Sequence, residues 1–176
     1  MFYYAAQISS RNEQKFSQLA DELVRMQDIA GRTIYLQRKM IIRRQGKTMS
    51  ELQPVFPGYV FFEFQERMGD CLCGMISRLK YFQRFLPNNL EREEISGRDL
   101  ALLGHFLEFG SVMDVSKASF DENNRIRIAS GPLHGLEGNI IKVDRRKRRV
   151  KIRFTFQDSD MTVDLSYEEI EKIPEK

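Results

Sequence analysis

The sequence predicts an α+β chain of two joined modules, an antiparallel sheet with packed helices followed by a small β-barrel. Three observations carry this reading. Strand-like and helix-like periods alternate over the first 109 residues, helical periodicity stops after Asn123, and two dense turn-plus-strand stretches, Phe56 to Glu63 and Gly131 to Gly138, lie in opposite halves.

Phe2 to Ile8 is short and aromatic, which favours a strand. Ser10 stands three residues before Glu13, the spacing of a capping box. Phe16, Leu19, Ala20, Leu23 and Met26 follow as one apolar helix face, with Lys15, Asp21, Glu22 and Arg25 outside it, and the helix is expected to end near Asp28, before Gly31. Strand-like pieces then run from Ile34 to Leu36, Met40 to Ile42, at Val55, and from Tyr59 to Phe64. They surround a polar middle of Gln45, Gly46 and Lys47, expected to be an exposed hairpin or loop. Leu72, Met75, Ile76 and Leu79 share one face of a second helix from about Asp70 to Leu79, and Tyr81 to Leu86 reads as a strand. Ser96, with Asp99 three positions on, can cap a third helix carrying Leu100, Leu103 and Leu107 on one face, which Gly110 stops.

The N-terminal domain is thus expected to span 1–109, a linker 110–122, and the barrel domain 123–176. Barrel strands are expected at Arg125 to Ile128, Asn139 to Val143, Val150 to Phe156 and Met161 to Leu165, most of them alternating apolar with polar. Gly131, Gly135 and Gly138 are expected to supply positive φ values or close backbone approaches at its corners.

Composition narrows the function classes. With 41% hydrophobic residues the chain can bury a core, and a net charge of +3 is only mildly basic, so the placement of charge matters more than its total. No apolar run approaches the roughly 20 residues that cross a bilayer, and the start lacks a signal-peptide pattern, so a cytoplasmic protein with no membrane partner is expected. Cys71 and Cys73 have a single residue between them, which suits neither a disulfide framework nor a zinc knuckle. His105 and His134 lie in different modules without a partner at triad or metal spacing, and no phosphate-cradling glycine loop with a following Lys-Ser or Lys-Thr is present. The sequence therefore predicts no enzyme, no metal and no cofactor.

Charge is concentrated at one place. Arg145, Arg146, Lys147, Arg148 and Arg149 are consecutive between two barrel strands, with Lys142, Lys151 and Arg153 nearby. Adjacent like charges repel, and a phosphate backbone relieves that repulsion through counterion release. Nucleic-acid binding is one reading; a solvated turn that discourages strand aggregation is the other. A second basic stretch, Arg32, Arg38, Lys39, Arg43, Arg44 and Lys47, is interleaved with Tyr35.

Taken in order, the strand-helix start, F-P-G-Y-V-F at Phe56, the third helix, and the barrel bearing G-P-L-H-G-L-E-G resemble the NusG family of transcription elongation factors over essentially the whole chain. The resemblance implies that the N-terminal module binds the clamp helices of the largest RNA polymerase subunit and that the C-terminal module is a KOW barrel recruiting another factor. It implies polymerase contacts at Phe56, Pro57, Gly58 and Tyr59, with Tyr3, Tyr4 and Phe61 as neighbours, and a KOW motif of Gly131, Pro132, Gly135 and Gly138. The turn before the strand is expected to be exposed, whereas Phe61 and Phe62 individually suit the core. For Arg43 and Arg44 the resemblance implies contact with upstream or non-template DNA.

One departure bears on specificity. Family members commonly carry Ile-Phe-Gly-Arg in the barrel loop that meets Rho or the ribosome, and this chain reads Phe156-Gln157-Asp158-Ser159. With the polybasic tip, this resembles a specialised paralog of the LoaP or RfaH kind, acting as a monomer on nascent RNA. A housekeeping NusG-type factor and a ribosome-associated RNA-binding protein are the alternatives.

Overall fold

The computed structural model describes residues 1–87, 92–156 and 158–171, with every side chain among them except that of Arg43. Its elements run β1 (Phe2–Ile8), α1 (Glu13–Met26), β2 (Gly31–Ile34), β3 (Gln37–Arg44), β4 (Lys47–Pro54), β5 (Tyr59–Phe64), α2 (Asp70–Ser77), β6 (Phe82–Phe85), α3 (Gly97–Leu107), β7 (Val112–Met113), β8 (Ser116–Phe120), β9 (Ile126–Ser130), β10 (Ile140–Asp144), β11 (Arg149–Phe156) and β12 (Ser159–Glu169). A 3-10 turn, Glu137–Asn139, precedes β10. The α+β class is the one the periodicity predicts, and the expected order of elements holds except where β7 and β8 occupy the expected linker.

By their contacts, residues 1–36 and 56–104 form one unit and residues 37–55 and 105–176 a second. The first unit is built on a four-stranded sheet ordered β2-β5-β1-β6, antiparallel throughout. Val60, Phe62 and Phe64 of β5 point to one side and pack with Phe16, Ala20 and Val24 of α1 and Leu72, Cys73 and Ile76 of α2. The Phe62 ring stacks on Phe64 at 5.9 Å and meets the edge of Phe16 at 6.4 Å.

The predicted apolar stripe of α1 is rotated in the structure. The buried residues are Glu13, Phe16, Ser17, Ala20 and Val24, whereas Leu19 is 36% and Met26 75% exposed. Phe16 and Ala20 belong to both stripes, so the period alone admits either. Glu13 decides between them, because its carboxylate accepts the Gly58 N–H at 2.8 Å and is drawn inward. The same bond explains why no capping box forms: the helix starts after Asn12 with no side-chain cap, and Glu13 is engaged elsewhere.

The second unit contains a five-stranded sheet ordered β10-β11-β12-β8-β9 and a three-stranded sheet ordered β4-β3-β7. The β3–β4 hairpin turns through Gln45 and Gly46, at φ 50° and 76°, the two positive φ values that a tight I′-type connection needs. The expected exposed hairpin is present. Its base is not free, because Ile41 donates its N–H to Ser166 Oγ of β12 at 3.0 Å. The stretch expected to be a linker is also corrected. β7 pairs in parallel with β3, and β8 pairs in parallel with β12 and antiparallel with β9, so 112–113 and 116–120 are structural strands. Their short lengths hide the period-two signal.

Val150, Ile152, Phe154 and Phe156 of β11 and Val163, Leu165 and Tyr167 of β12 form the buried side of the five-stranded sheet. The Tyr167 hydroxyl is buried with no hydrogen-bond partner among the described residues, and burial raises its pKa. Tyr167→Phe is accordingly expected to leave stability unchanged or to raise it by up to about 1 kcal/mol, read from urea unfolding, since it removes a stranded polar group and keeps the ring.

Candidate functional site

The turn before β5 follows from its sequence. Tyr59 N–H returns to Phe56 O at 3.1 Å around Pro57 and Gly58, and Gly58 sits at φ 83°, the positive value required at the third position of a type II turn. Ile8 N–H donates to Gly58 O at 2.9 Å, which ties the turn to β1.

The residues expected to meet polymerase divide sharply by exposure. Pro57 is exposed and Tyr3 and Tyr59 are half-buried. Phe56 is 2% exposed, against the expectation for an exposed turn, because its ring lies edge-on to Phe61 at 5.1 Å. Phe61 is itself buried, as a strand residue sandwiched between β1 and β2 partners Ala5 and Ile34. Tyr4 also lies in the core, where its oxygen accepts the Met68 N–H at 3.2 Å, and Gly58 is buried. Tyr3 stands opposite Glu63, whose carboxylate is paired with Arg32 at 2.8 Å. Desolvation, followed by that carboxylate, raises the Tyr3 pKa.

The glycine-rich corner is equally specific. Gly131 has φ 93°, and a Cβ there would stand 2.7 Å from Ser116 Cα. Its carbonyl accepts the His134 N–H, and Ser116 Oγ accepts the Leu133 N–H at 3.0 Å. Gly135 has φ 84° in open space. Gly138 needs neither a positive φ nor a close approach, so the expectation for it does not hold. Pro132 is buried and its carbonyl lies 2.9 Å from His105 Nε2.

The polybasic run forms the β10–β11 turn, and its members are not equivalent. Arg145 donates to Glu169 Oε1 at 2.8 Å and to Asn124 Oδ1 at 3.3 Å, and its guanidinium stands 3.9 Å from the Phe120 ring centre. Arg149 donates to Ile41 O at 3.3 Å. Between these anchors Arg146, Lys147 and Arg148 are exposed. Arg148 takes φ 51°, and Asp144 Oδ1 accepts the Lys147 N–H at 2.9 Å, which closes the turn. Three adjacent cations are thereby displayed on a braced tip.

The Lys147 amide, then the neighbouring cations, hold the Asp144 carboxyl below its ordinary range. A depressed folded pKa means that the turn's stabilisation is complete above the ordinary carboxylate value and fades as pH falls through the folded one. The Lys147 amide resonance should therefore titrate with a midpoint below the ordinary aspartate value. A midpoint at or above that value would contradict this.

The second basic stretch is largely occupied. Arg38 is 8% exposed and donates to Pro54 O and, at 3.3 Å, to Val55 O; desolvation lowers its pKa to about 10, which keeps it charged at neutral pH. Lys39 pairs with Asp114 at 3.0 Å and Arg44 with Glu51 at 3.6 Å. Lys47 is exposed, and the Arg43 side chain lies outside the described residues, as does Gln157 of the Phe156 to Ser159 loop. Sequence spacing could not reveal these partners, since Asp114 and Val55 are remote in the chain.

Among the described residues no group of three or more His, Cys, Asp or Glu is placed to hold a metal, and no helix is long and apolar enough to cross a membrane. Cys71 is exposed and Cys73 buried, both free on α2.

The family model described as "Transcription termination factor nusG" matches residues 1–102. The transcription termination/antitermination protein NusG of Buchnera aphidicola is 24% identical, covering 97% of this chain and 95% of its own. That of Vibrio cholerae is 22% identical over 97% and 95%. The fold is similar to a solved Thermotoga maritima NusG structure with a TM-score of 0.57 at 20% identity, covering 94% of this chain and 93% of that one. With the family model matching more than half of its length, and with the turn, sheet and small β domain that the motifs predicted, this chain belongs to the NusG family of transcription termination and antitermination factors.

Proposed function

We propose that this chain is a non-enzymatic, monomeric, cytoplasmic elongation factor of the specialised, antiterminating kind. In this reading its N-terminal unit binds the RNA polymerase clamp helices and its small β domain holds nascent RNA. Tyr3, Pro57 and Tyr59 are the side chains we assign to the polymerase, being the candidates with exposed surface. Tyr4, Phe56, Gly58 and Phe61 contribute from beneath, by fixing the strand and turn.

The observation that carries the RNA assignment is the braced tip: Arg145 and Arg149 are spent on internal partners while Arg146, Lys147 and Arg148 face solvent. A turn needed only for solubility has no use for two such anchors. Contacts of this kind are to phosphates, so they give affinity and position rather than sequence readout. Arg44 and Lys47 at the end of the β3–β4 hairpin are assigned to non-template DNA, as is Arg43.

The test is binding of the full chain to structured RNA and to duplex DNA across a salt series, with Arg146, Lys147 and Arg148 all changed to Gln. Losing three phosphate contacts should weaken binding and flatten the log-log salt slope by roughly 2 to 3 units. RNA binding with an unchanged slope would remove the tip from the interface. No binding by the wild type at moderate salt would favour the housekeeping reading, in which the β domain contacts protein. Tight ribosomal RNA binding without polymerase affinity would favour the ribosome-associated one.

A further inference from the structure

Beside the tip, on the outer face of the β10-β11-β12 sheet, lies a cavity of about 130 Å³ lined by Lys142, Asp144, Lys147, Arg149, Lys151 and Asp164. Four cations face two carboxylates there, so the lining carries two positive charges in excess. The register sharpens the imbalance. Lys142 and Lys151 are direct cross-strand partners, an arrangement of like charges that disfavours pairing unless an anion lies between them. The carboxylates are already engaged: Asp144 accepts the Lys147 N–H, and Asp164 pairs with Lys151 at a long 3.8 Å. Arg149 Nε is buried and without a hydrogen-bond partner among the described residues, while the other end of the same guanidinium donates to Ile41 O. Excess charge and opposed lysines thus meet in one concavity with room for a phosphate group and some water, with Arg149 in its lining.

We propose that this pocket is a discrete phosphate site, in which Lys142, Lys147 and Lys151 hold one phosphate group beside the tip and the Arg149 guanidinium, held by Ile41 O, adds its charge. Ammonium groups on two strands and the turn supply compact charges with rotatable donors, which suits a tetrahedral oxyanion. The phosphate comes either from a nucleic-acid backbone or from a free phosphate or phosphorylated small molecule. The backbone source rests on the RNA reading above; the pocket does not.

The experiment is an amide NMR titration of the full chain with inorganic phosphate at constant ionic strength set by chloride. Saturable shifts confined to Lys142, Asp144, Lys147, Arg149, Lys151 and Asp164 are expected. The double variant Lys142→Gln, Lys151→Gln should bind phosphate roughly tenfold more weakly, as two charge-assisted contacts are lost, and the charge-keeping Lys142→Arg, Lys151→Arg should retain it. The tip variant Arg146→Gln, Arg148→Gln should keep phosphate affinity within about twofold, because exposed charges outside the pocket couple weakly to it. Shifts that track ionic strength alone, or that vanish in the tip variant and persist in the lysine variant, would overturn the pocket.

Adding RNA to the phosphate-loaded protein separates the sources. Reversal of the phosphate shifts on RNA binding assigns the pocket to backbone phosphates, and their persistence with RNA bound assigns it to a free phosphate or phosphorylated small molecule. Phosphate binding without any RNA binding would sink the RNA reading and keep the pocket; RNA binding without saturable phosphate shifts would do the reverse.

Discussion

Gly131→Ala is expected to destabilise the small β domain by about 3 kcal/mol. Two costs combine. A side chain at φ 93° pays for a conformation that L-residues avoid, and the new Cβ would stand 2.7 Å from Ser116 Cα, a backbone atom of β8 that cannot swing aside. Gly135→Ala carries only the first cost, because its surroundings are open, and should lose about 1 kcal/mol. Gly138→Ala carries neither and should fall within about 0.5 kcal/mol of the wild type. Denaturant unfolding followed by amide resonances of β8 and β12 would rank the three. A Gly138 variant as damaging as the Gly131 variant would show that the motif's third glycine serves a need the backbone does not reveal.

Phe56→Ala is expected to cost about 3 to 5 kcal/mol of stability, as for a large ring removed from a packed site. The side chain is 2% exposed and packs edge-on against Phe61, so its removal leaves a void that the adjoining Pro57–Gly58 turn, held by Glu13 and Ile8, is poorly placed to fill. A docking residue would behave differently, losing polymerase affinity with its melting midpoint intact. Tyr59→Ala, at a half-buried position, should come nearer that second pattern. Comparing midpoints and polymerase affinities for both variants separates the roles, and an unchanged midpoint for Phe56→Ala would return Phe56 to the surface.

Where local chemistry determines the structure, the sequence was readable. Pro57 and Gly58 have conformations that suit a type II turn, the alternation from Val150 to Phe156 marks one buried face, and Gln45-Gly46 between polar neighbours marks a hairpin. What remained hidden depends on groups far apart in the chain. The α1 stripe is rotated because Glu13 reaches Gly58, 45 residues on. Residues 112–120 escape notice because two- and five-residue strands show too little period, and their pairing with β3 and β12 is non-local.

The same limit governs the candidate site. Charge runs were visible, but which cations are free was not. Arg38 looked like part of a basic surface and is buried on the carbonyls of Pro54 and Val55, while Arg145 and Arg149, indistinguishable in sequence from their neighbours, brace the tip. The aromatic turn misled for a related reason. A type II turn is exposed at Pro57, yet it folds Phe56 back over Phe61.

A single-round elongation assay with purified RNA polymerase, on a template carrying a pause and a terminator, would compare the full chain with the Arg146, Lys147 and Arg148 triple glutamine variant. The wild type should bind the elongation complex, shorten pausing and raise readthrough when the transcript contains structured RNA. The triple variant should still bind polymerase and lose the RNA-dependent part of the effect. A wild type that leaves pausing and readthrough unchanged and fails to associate with elongation complexes would contradict the proposed role.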